Sequence, residues 1–569
     1  MGKFYRIIVP LIFLPLISFG WKSAHRTVDK KSIINLHEKI KDQNSTLIDN
    51  ETPKNYVFDD QYKINVLHYY LNIDLHPQKK ILDGDAGITG VILAKNLKQI
   101  YLNFYDNLKI SSLELNGKPV AYKTDEYHII IPLSNVQSDT FKVEIKYNGT
   151  PKRVGFSSFV FGEINGQSCV YNLSEPSYAS TWFPCNDIPS DKALLDMKIT
   201  NDSSEVSASN GNLISVTTQG SRRTYYWKTI YPLSTYLICL YSSDYVNFSD
   251  KYISQDKTDT MSIEYYAFPK QLEEAKIDFK EHPEMIDFFA KEFGEYPFIK
   301  EKYGVAEFLW QLGAMETQTL TGVGFNFVGG KQFFNDVYAH ELAHQWFGDA
   351  VGPESWKDIW LNEGFATYCE ALYAEHKGGS GALRSSMMSK FQSNFNGTVY
   401  NPDDMFGSTV YDKGAWVLHM MRHLVGDSTF FKILRAYFND YKYKNASTKD
   451  FENVCEKVSH KDLKKFFDEW VFKGTGIINL NYNWNSEKKD NNFLISLSIN
   501  QDQKGYDTYN FPVDVKVEFD DHTSIVKTFY IDSRQKNFDF QVDKKPLTVS
   551  LDSDNWLLAV IKEGKKSSE

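Results

Sequence analysis

The sequence predicts a multidomain α+β protein: a β-rich N-terminal region, a helix-rich middle, and a second β-rich region toward the C-terminal end. Three observations predict this. The chain has 569 residues, more than one hydrophobic core organises, so three or four domains are expected. Short alternating runs of apolar and polar residues dominate up to about residue 250 and return past Gly476, the period of half-buried strands. Between them, apolar residues recur at helical spacing. Hydrophobic residues at 42% and charged residues at 24% argue against extended disorder. No internal repeat or low-complexity tract is present.

Lys3 and Arg6 precede an apolar run from Ile7 to Phe19, with Ser18 and Gly20 at cleavage spacing. This order reads as a signal peptide over residues 1–20. It predicts an exported chain, periplasmic or secreted, with an uncleaved N-terminal membrane anchor as the alternative. No other segment is long and apolar enough to cross a bilayer, so no membrane span is expected in the mature chain. Residues 21–60 are polar and lysine-rich and read as a leader or linker.

Residues 61–250 read as an N-terminal β domain. Alternating runs at 65–75, 141–147 and 225–230 lie among turn signals such as Asn116-Gly117 and Asn148-Gly149. Across 251–474 the pattern predicts helices at 269–293 (interrupted by Pro283), 334–347, 359–375, 415–438 and 450–472. Strands are predicted at 303–309 and 322–328. Residues 475–563 alternate again, at 493–499, 513–519 and 548–551, and predict a small β-sandwich.

A net charge of −10 repels polyanions, so no nucleic-acid partner is expected. The five cysteines, Cys169, Cys185, Cys239, Cys369 and Cys455, are scattered and form no C-x-x-C pair. They are expected as buried free thiols, with one Cys169–Cys185 bridge as the alternative.

The chemistry concentrates in His340-Glu341-Leu342-Ala343-His344. Residues four apart share a helix face, so both imidazoles can converge on one ion. Glu341 would stand beside them as a proton acceptor for water held by that ion. A pair of core histidines with a solvated glutamate would produce the same string. A hydrolytic zinc site takes three protein ligands and leaves a position open. Glu363, in Trp360-Leu361-Asn362-Glu363-Gly364-Phe365-Ala366, lies on the next predicted helix and can supply the third.

H-E-x-x-H followed eighteen residues on by N-E-G-F-A resembles the aminopeptidase N family of zinc peptidases (gluzincins), which has leukotriene-hydrolysing relatives. Gly313-Ala314-Met315-Glu316 resembles that family's exopeptidase signature, and the likeness runs over about residues 62–561. It implies a saddle-shaped N-terminal β domain, a thermolysin-like catalytic domain over 251–474, and a C-terminal β-sandwich. The long C-terminal helical domain of larger members is not expected here.

The resemblance also implies one Zn2+ per chain on His340, His344 and Glu363, and peptide substrates with a free N-terminus. Glu316 would accept hydrogen bonds from the substrate ammonium, so that only the first peptide bond reaches the metal. Gly313, Ala314 and Met315 would contact substrate beside it. Thr317 stands where the family pattern often has Asn, which bears on how the substrate backbone is placed. Glu175, in Asn172-Leu173-Ser174-Glu175-Pro176, matches the position of a second amine contact; a glutamate stabilising the turn before Pro176 is the alternative. Tyr411, in Tyr411-Asp412-Lys413-Gly414-Ala415, matches the family's catalytic tyrosine, a donor to the developing oxyanion. Lys413 is expected to be a structural neighbour.

A zinc endopeptidase that ignores the amine, and a catalytically silent zinc-containing peptide-binding protein, are the alternative functions. His419 and His423 also stand four apart, but no carboxylate base or third ligand accompanies them, and they read as packing residues. Asp349 reads as an outer-layer or loop residue. Glu370 and Glu375 read as solvated or paired. Oligomeric state and the preferred N-terminal side chain are left open.

Overall fold

A computed structural model describes residues 56–133, 139–164 and 166–564. The signal peptide and nearly all of the leader read from the sequence lie outside the described residues. From Tyr56 onward the chain belongs to the folded body: Tyr56 is buried and its hydroxyl donates to Asp187 at 2.6 Å. A 3₁₀ turn, Asp59–Lys63, leads from there directly into the first strand.

The N-terminal region is built on an eight-stranded sheet. Its order from edge to edge is Asn212–Gln219, Arg222–Lys228, Leu194–Asp202, Ile64–His76, Ile81–Ile92, Thr140–Gly149, Leu108–Leu115 and Lys118–Pro119. Neighbours run antiparallel except Ile64–His76 with Leu194–Asp202. The Asn116-Gly117 signal is a tight turn with both residues at positive φ (52° and 73°), the conformation that Asn-Gly favours. A four-stranded and a three-stranded sheet complete this part.

The middle region begins with a five-stranded sheet in the order Val246–Ile253, Thr260–Ala267, Lys302–Phe308, Thr321–Gly324 and Ala314–Met315. Its first strand starts at Val246, so a boundary drawn at 250 runs through a strand. The edge strand Ala314–Met315 lies antiparallel to Thr321–Gly324 and delivers Glu316 to the end of the sheet. The segment 322–328, predicted as one strand, leaves the sheet after Gly324 and closes into a 3₁₀ turn, Phe325–Phe327.

Helices follow the predicted periods, interrupted at several points. The first is divided into Leu272–Asp278 and His282–Phe293, and Pro283 opens the second, where its missing N–H costs nothing. The predicted helix 415–438 is two helices, Gly414–Val425 and Asp427–Tyr441, separated at Gly426 (φ 85°). The predicted helix 450–472 starts earlier, at Thr448, because Ser447 and Asp450 form a reciprocal capping box. It ends at His460 (φ 56°), and the short helix Lys464–Phe467 and a π turn come after it. Trp360–Ser389 runs longer than the sequence predicts, through a kink at Gly379. Among the described residues, no helix is long and apolar enough to cross a membrane.

The C-terminal region packs a four-stranded sheet against a three-stranded one. Phe511–Phe519 alternates buried and partly buried residues along its length, as a sandwich face requires. Its core is continuous with that of the helical region, while the N-terminal sheets enclose a second core. Two cores thus serve three regions. Among the described residues the last element is the strand Ala559–Glu563.

One contact places the functional helices. Gly364, on Trp360–Ser389, and Gly414, at the start of Gly414–Val425, meet backbone to backbone. A Cβ on Gly364 would lie 2.9 Å from Gly414 Cα and 3.2 Å from Val410 O. Backbone atoms cannot rotate away, so only glycine permits this approach. Gly364→Ala is expected to cost about 1–3 kcal/mol through overpacking, reduced by up to about 1 kcal/mol of gained helix propensity. Calorimetry should show a lower melting temperature, and an unchanged one would mean that the glycine contact does not set the helix spacing.

Candidate active site

His340, Glu341 and His344 are presented by the helix Asn335–Ala343 and its C-cap. The turn that launches this helix is gripped by buried Asp278, which accepts from the backbone N–H groups of Gly329 (2.7 Å), Gly330 (2.8 Å) and Gln332 (2.6 Å). The sequence predicts a helix reaching 347, but it ends at Ala343. His344 retains helical φ and ψ as the cap, so the i, i+4 geometry survives, with ring centroids 4.8 Å apart. Glu363 enters from the first turn of Trp360–Ser389. Asp358 fixes that entry by accepting from Thr448 N and Oγ1, both at 2.8 Å.

The two Nε2 atoms lie 3.2 and 3.4 Å from the same Glu363 oxygen. Their other ring nitrogens are engaged. His340 Nδ1 is 2.8 Å from Glu370 Oε1, and His344 Nδ1 is 3.2 Å from the Phe347 carbonyl. With Nδ1 as the donor in each ring, both Nε2 atoms face Glu363, and each offers a lone pair to a metal once it gives up its proton. Donor atoms of His340, His344 and Glu363 all lie within 4.8 Å of one another. Two imidazoles and a carboxylate so arranged fit a single zinc ion with a position left open.

Beside this triad lies a second buried group. Carboxylate oxygens of Glu175, Glu316 and Glu363 come within 4.8 Å of one another, and one oxygen each of Glu175, Glu316 and Glu341 is buried without a hydrogen-bond partner. Burial raises the Glu175 carboxyl well above the usual range, and Glu316 and Glu363 add to the shift. Burial likewise raises Glu316. Burial, against the pull of His340, lifts Glu341 to about 8. Glu363 goes the other way: burial opposes its charge, but His344 and His340 hold it at about 2. Burial also works against protonating the imidazoles. Hydrogen bonds to Glu363 and Glu370 still take His340 to about 10, and Glu316 and Glu363 take His344 to about 9.

Tyr411 stacks on His340 at 5.9 Å and 10°. Its phenol is raised by burial and by the glutamates around it, Glu363 first, so it remains a proton donor at neutral pH. Gly313, Ala314 and Met315 form the edge-strand approach to Glu316, with Gly313 O accepting from Gly324 N at 3.1 Å. The structure gathers His340, Glu341, His344, Glu363, Glu316, Glu175 and Tyr411 around one point, while Gly313, Ala314 and Met315 lie along the strand that leads to Glu316. Thr317 turns its hydroxyl into its own turn, donating to Leu320 O, with Tyr241 Oη 3.3 Å away.

Glu370 matters more than its sequence context suggests. It ties His340 to Lys390, and it stands two helical turns after Glu363, a spacing that could have placed it on the same face. Glu375 is paired with Arg422 at 2.6 Å. Asp349 is fully buried behind the site. Lys413 is buried and donates to Gly474 O at 2.8 Å. His419 and His423 both stack on Trp556, at 4.5 and 5.1 Å, as packing residues. All five cysteines are buried and free, which removes the Cys169–Cys185 bridge.

Comparison with known proteins places this arrangement in a family. Residues 277–470 match the peptidase family M1 domain and residues 65–237 the peptidase M1 N-terminal domain. The two models together take in most of the chain, and the chain belongs to peptidase family M1. A probable aminopeptidase 2 of Sulfurisphaera tokodaii is 28% identical over 67% of this chain and 52% of its own. The crystal structure of Legionella pneumophila aminopeptidase A in complex with aspartic acid superposes with a TM-score of 0.78 at 20% identity. It covers 91% of this chain and 61% of its own, a likeness of fold. An M1 zinc metallopeptidase variant from Deinococcus radiodurans, bound to a Tyr-Ser-Ala substrate, gives a TM-score of 0.63 at 26% identity over 73% and 96% of the two chains. The chain spans about half the length of most of the curated relatives it matches.

Chelator-treated protein holds both imidazoles protonated at pH 7, given their raised values near 10 and 9. Zinc needs them neutral. Zinc uptake at pH 7 should therefore release up to two protons, and affinity should rise with pH toward 9–10 and fall on acidification. Calorimetry in buffers of different ionisation enthalpy measures this, and uptake without proton release would contradict the assignment. Glu370→Gln should weaken zinc binding by about 10–100-fold.

Proposed function

We propose that this chain is a zinc-dependent aminopeptidase that hydrolyses the first peptide bond of peptides with a free N-terminus. One observation carries the reading: two buried carboxylates, Glu316 and Glu175, each with one oxygen that has no hydrogen-bond partner, stand against a His-His-Glu metal triad. Buried carboxylates without partners are costly, and a site that gathers them is built to receive positive charge. A substrate ammonium supplies it.

His340, His344 and Glu363 would hold one Zn2+ per chain. When bound, the ion supplies Lewis-acid polarisation of the scissile carbonyl, lowers the pKa of water, and as a neighbouring dication favours the ionised form of Glu341. Glu341 takes the proton from the attacking water and returns it to the leaving amine. Tyr411 donates its phenolic proton in a hydrogen bond to the developing oxyanion. Glu316, with Glu175, accepts hydrogen bonds from the substrate ammonium and so sets which peptide bond is presented. Glu370 orients His340 and, with Lys390, keeps its own charge balanced. The peptide-bound M1 relative of similar fold supports this class of substrate.

The same reading includes export through the N-terminal segment, supported by Lys3, Arg6 and the apolar run after them. The mature protein would be periplasmic or secreted, and cell fractionation with N-terminal sequencing tests this.

Activity is tested with aminoacyl-coumarin amides, each paired with its N-acetylated counterpart, with and without a chelator. Chelator-sensitive cleavage of the free-amine series alone is expected. Equal cleavage of blocked substrates would favour an endopeptidase, and no cleavage by zinc-loaded protein would favour a binding protein. Glu341→Gln should retain zinc and lose about 10²–10⁴-fold in kcat. Glu316→Ala should lower kcat/KM on free-amine substrates selectively.

A further inference from the structure

We propose that Gln345 and Trp356 are positioning residues. They fasten the two ammonium-binding carboxylates, Glu316 and Glu175, to the two elements that carry the metal ligands. The inference rests on the function proposed above and adds how the distance from amine site to metal is held.

Gln345 follows His344 directly and is fully buried. A buried amide is costly unless its groups are bonded, and here both ends are used. Nε2 donates to the Glu316 carbonyl at 3.2 Å. Oε1 accepts from Thr319 N at 2.8 Å and lies 3.2 Å from the Tyr296 hydroxyl. The turn it grips is an unusual one, since Thr319 sits at φ 63°, where a β-branched residue is disfavoured. The N-terminal region holds the other side of the same turn. Asn210 Nδ2 donates to Gln318 O at 2.7 Å and Gly211 N to Thr319 Oγ1 at 2.9 Å. Glu316 is thereby clamped between the histidine-bearing segment and the N-terminal region.

Trp356 does the corresponding work for Glu175. It lies in the turn just before the helix of Glu363, and its indole N–H donates to Ser177 Oγ at 3.1 Å, two residues beyond Glu175. The edge of the ring meets Tyr236 at 5.1 Å. The Tyr236 hydroxyl accepts from Asn362 at 3.3 Å, and Asn362 precedes Glu363. The loop of Glu175 is thus connected through Trp356 and Tyr236 to the residue beside a metal ligand. Glu175 and Glu363 belong to different regions of the chain, yet their oxygens meet within 4.8 Å.

An exopeptidase needs this distance constant, because a bound group displaced by about 1 Å can cost about a hundredfold in rate. Gln345→Met removes all three hydrogen bonds of the side-chain amide at similar volume. Trp356→Phe and Ser177→Ala each remove the indole bond from one side. The full-length zinc-loaded protein is assayed for zinc content and for the ratio of kcat/KM on the best free-amine substrate to that on its N-acetylated partner. Each variant is expected to keep one zinc per chain while that ratio falls by about tenfold or more, with KM moving more than kcat. Trp356→Phe with Ser177→Ala should lose no more than either alone, since they share one bond. Folded, zinc-loaded variants that keep the wild-type ratio within about twofold would overturn the inference, even if their melting temperatures fall. Should Gln345→Met fail to fold, the Trp356 and Ser177 variants decide by the same ratio. A wild-type protein with no preference for a free amine would instead remove the ammonium-binding reading, and the positioning role with it.

Discussion

The buried meeting of four glutamates and two histidines is the constraint around which the middle of this molecule is organised. Glu175, Glu316, Glu341 and Glu363 are each less than a tenth exposed, and three of them bring oxygens within 4.8 Å of one another. Two ionised carboxylates at that separation repel by about 3 kcal/mol at an effective dielectric of about 20. Burial adds to the cost by stripping away water. The relief available is positive charge, and the site provides for it in two places: at the Nε2 atoms that face Glu363, and in the space between Glu175 and Glu316. The charge pattern alone therefore favours a metal cation and an ammonium group side by side.

Such a cluster survives only if its supports are rigid, since mobile glutamates would turn outward to water. The supports are chemically varied. Glycines at 364 and 414 let two helices touch, which carries Tyr411 to the face of His340. Glu370 and Lys390 hold that same imidazole from behind. Asp278 closes the turn ahead of the histidine helix with three backbone hydrogen bonds. Asn210 and Gly211 reach across from the N-terminal region to the turn after Glu316. The N-terminal β region is thus a wall of the site as well as a neighbouring domain. The C-terminal sandwich shares its core with the helical region and is joined to it further through Trp556 stacked on His419 and His423.

Much of the site is legible in the sequence because its chemistry is local along the chain. His340 and His344 stand four positions apart, and a helix turns that spacing into a shared face regardless of what packs around it. Glu363, Glu316 and Tyr411 become legible as candidate site residues through short strings whose order resembles a known family. The alternating and helical periods likewise mark the three regions. Element ends are less legible. Gly426 and His460 break helices by adopting positive φ, a choice that depends on where the next segment must go.

What the sequence by itself determined is the set of donors, their spacing along each element and the succession of strand-rich and helix-rich regions. These depend on backbone periodicity and side-chain chemistry, which are properties of neighbours in the chain. Only the tertiary structure decided which buried polar groups serve which. Glu370 could have been solvated, Gln345 is an inconspicuous amide, and Ser177 and Trp356 lie 179 residues apart. Their roles arise from contacts between distant segments, and no local period encodes these. The physical reason is burial: a polar side chain excluded from water must find its partner in whatever segment the fold brings alongside, and that segment is chosen by packing.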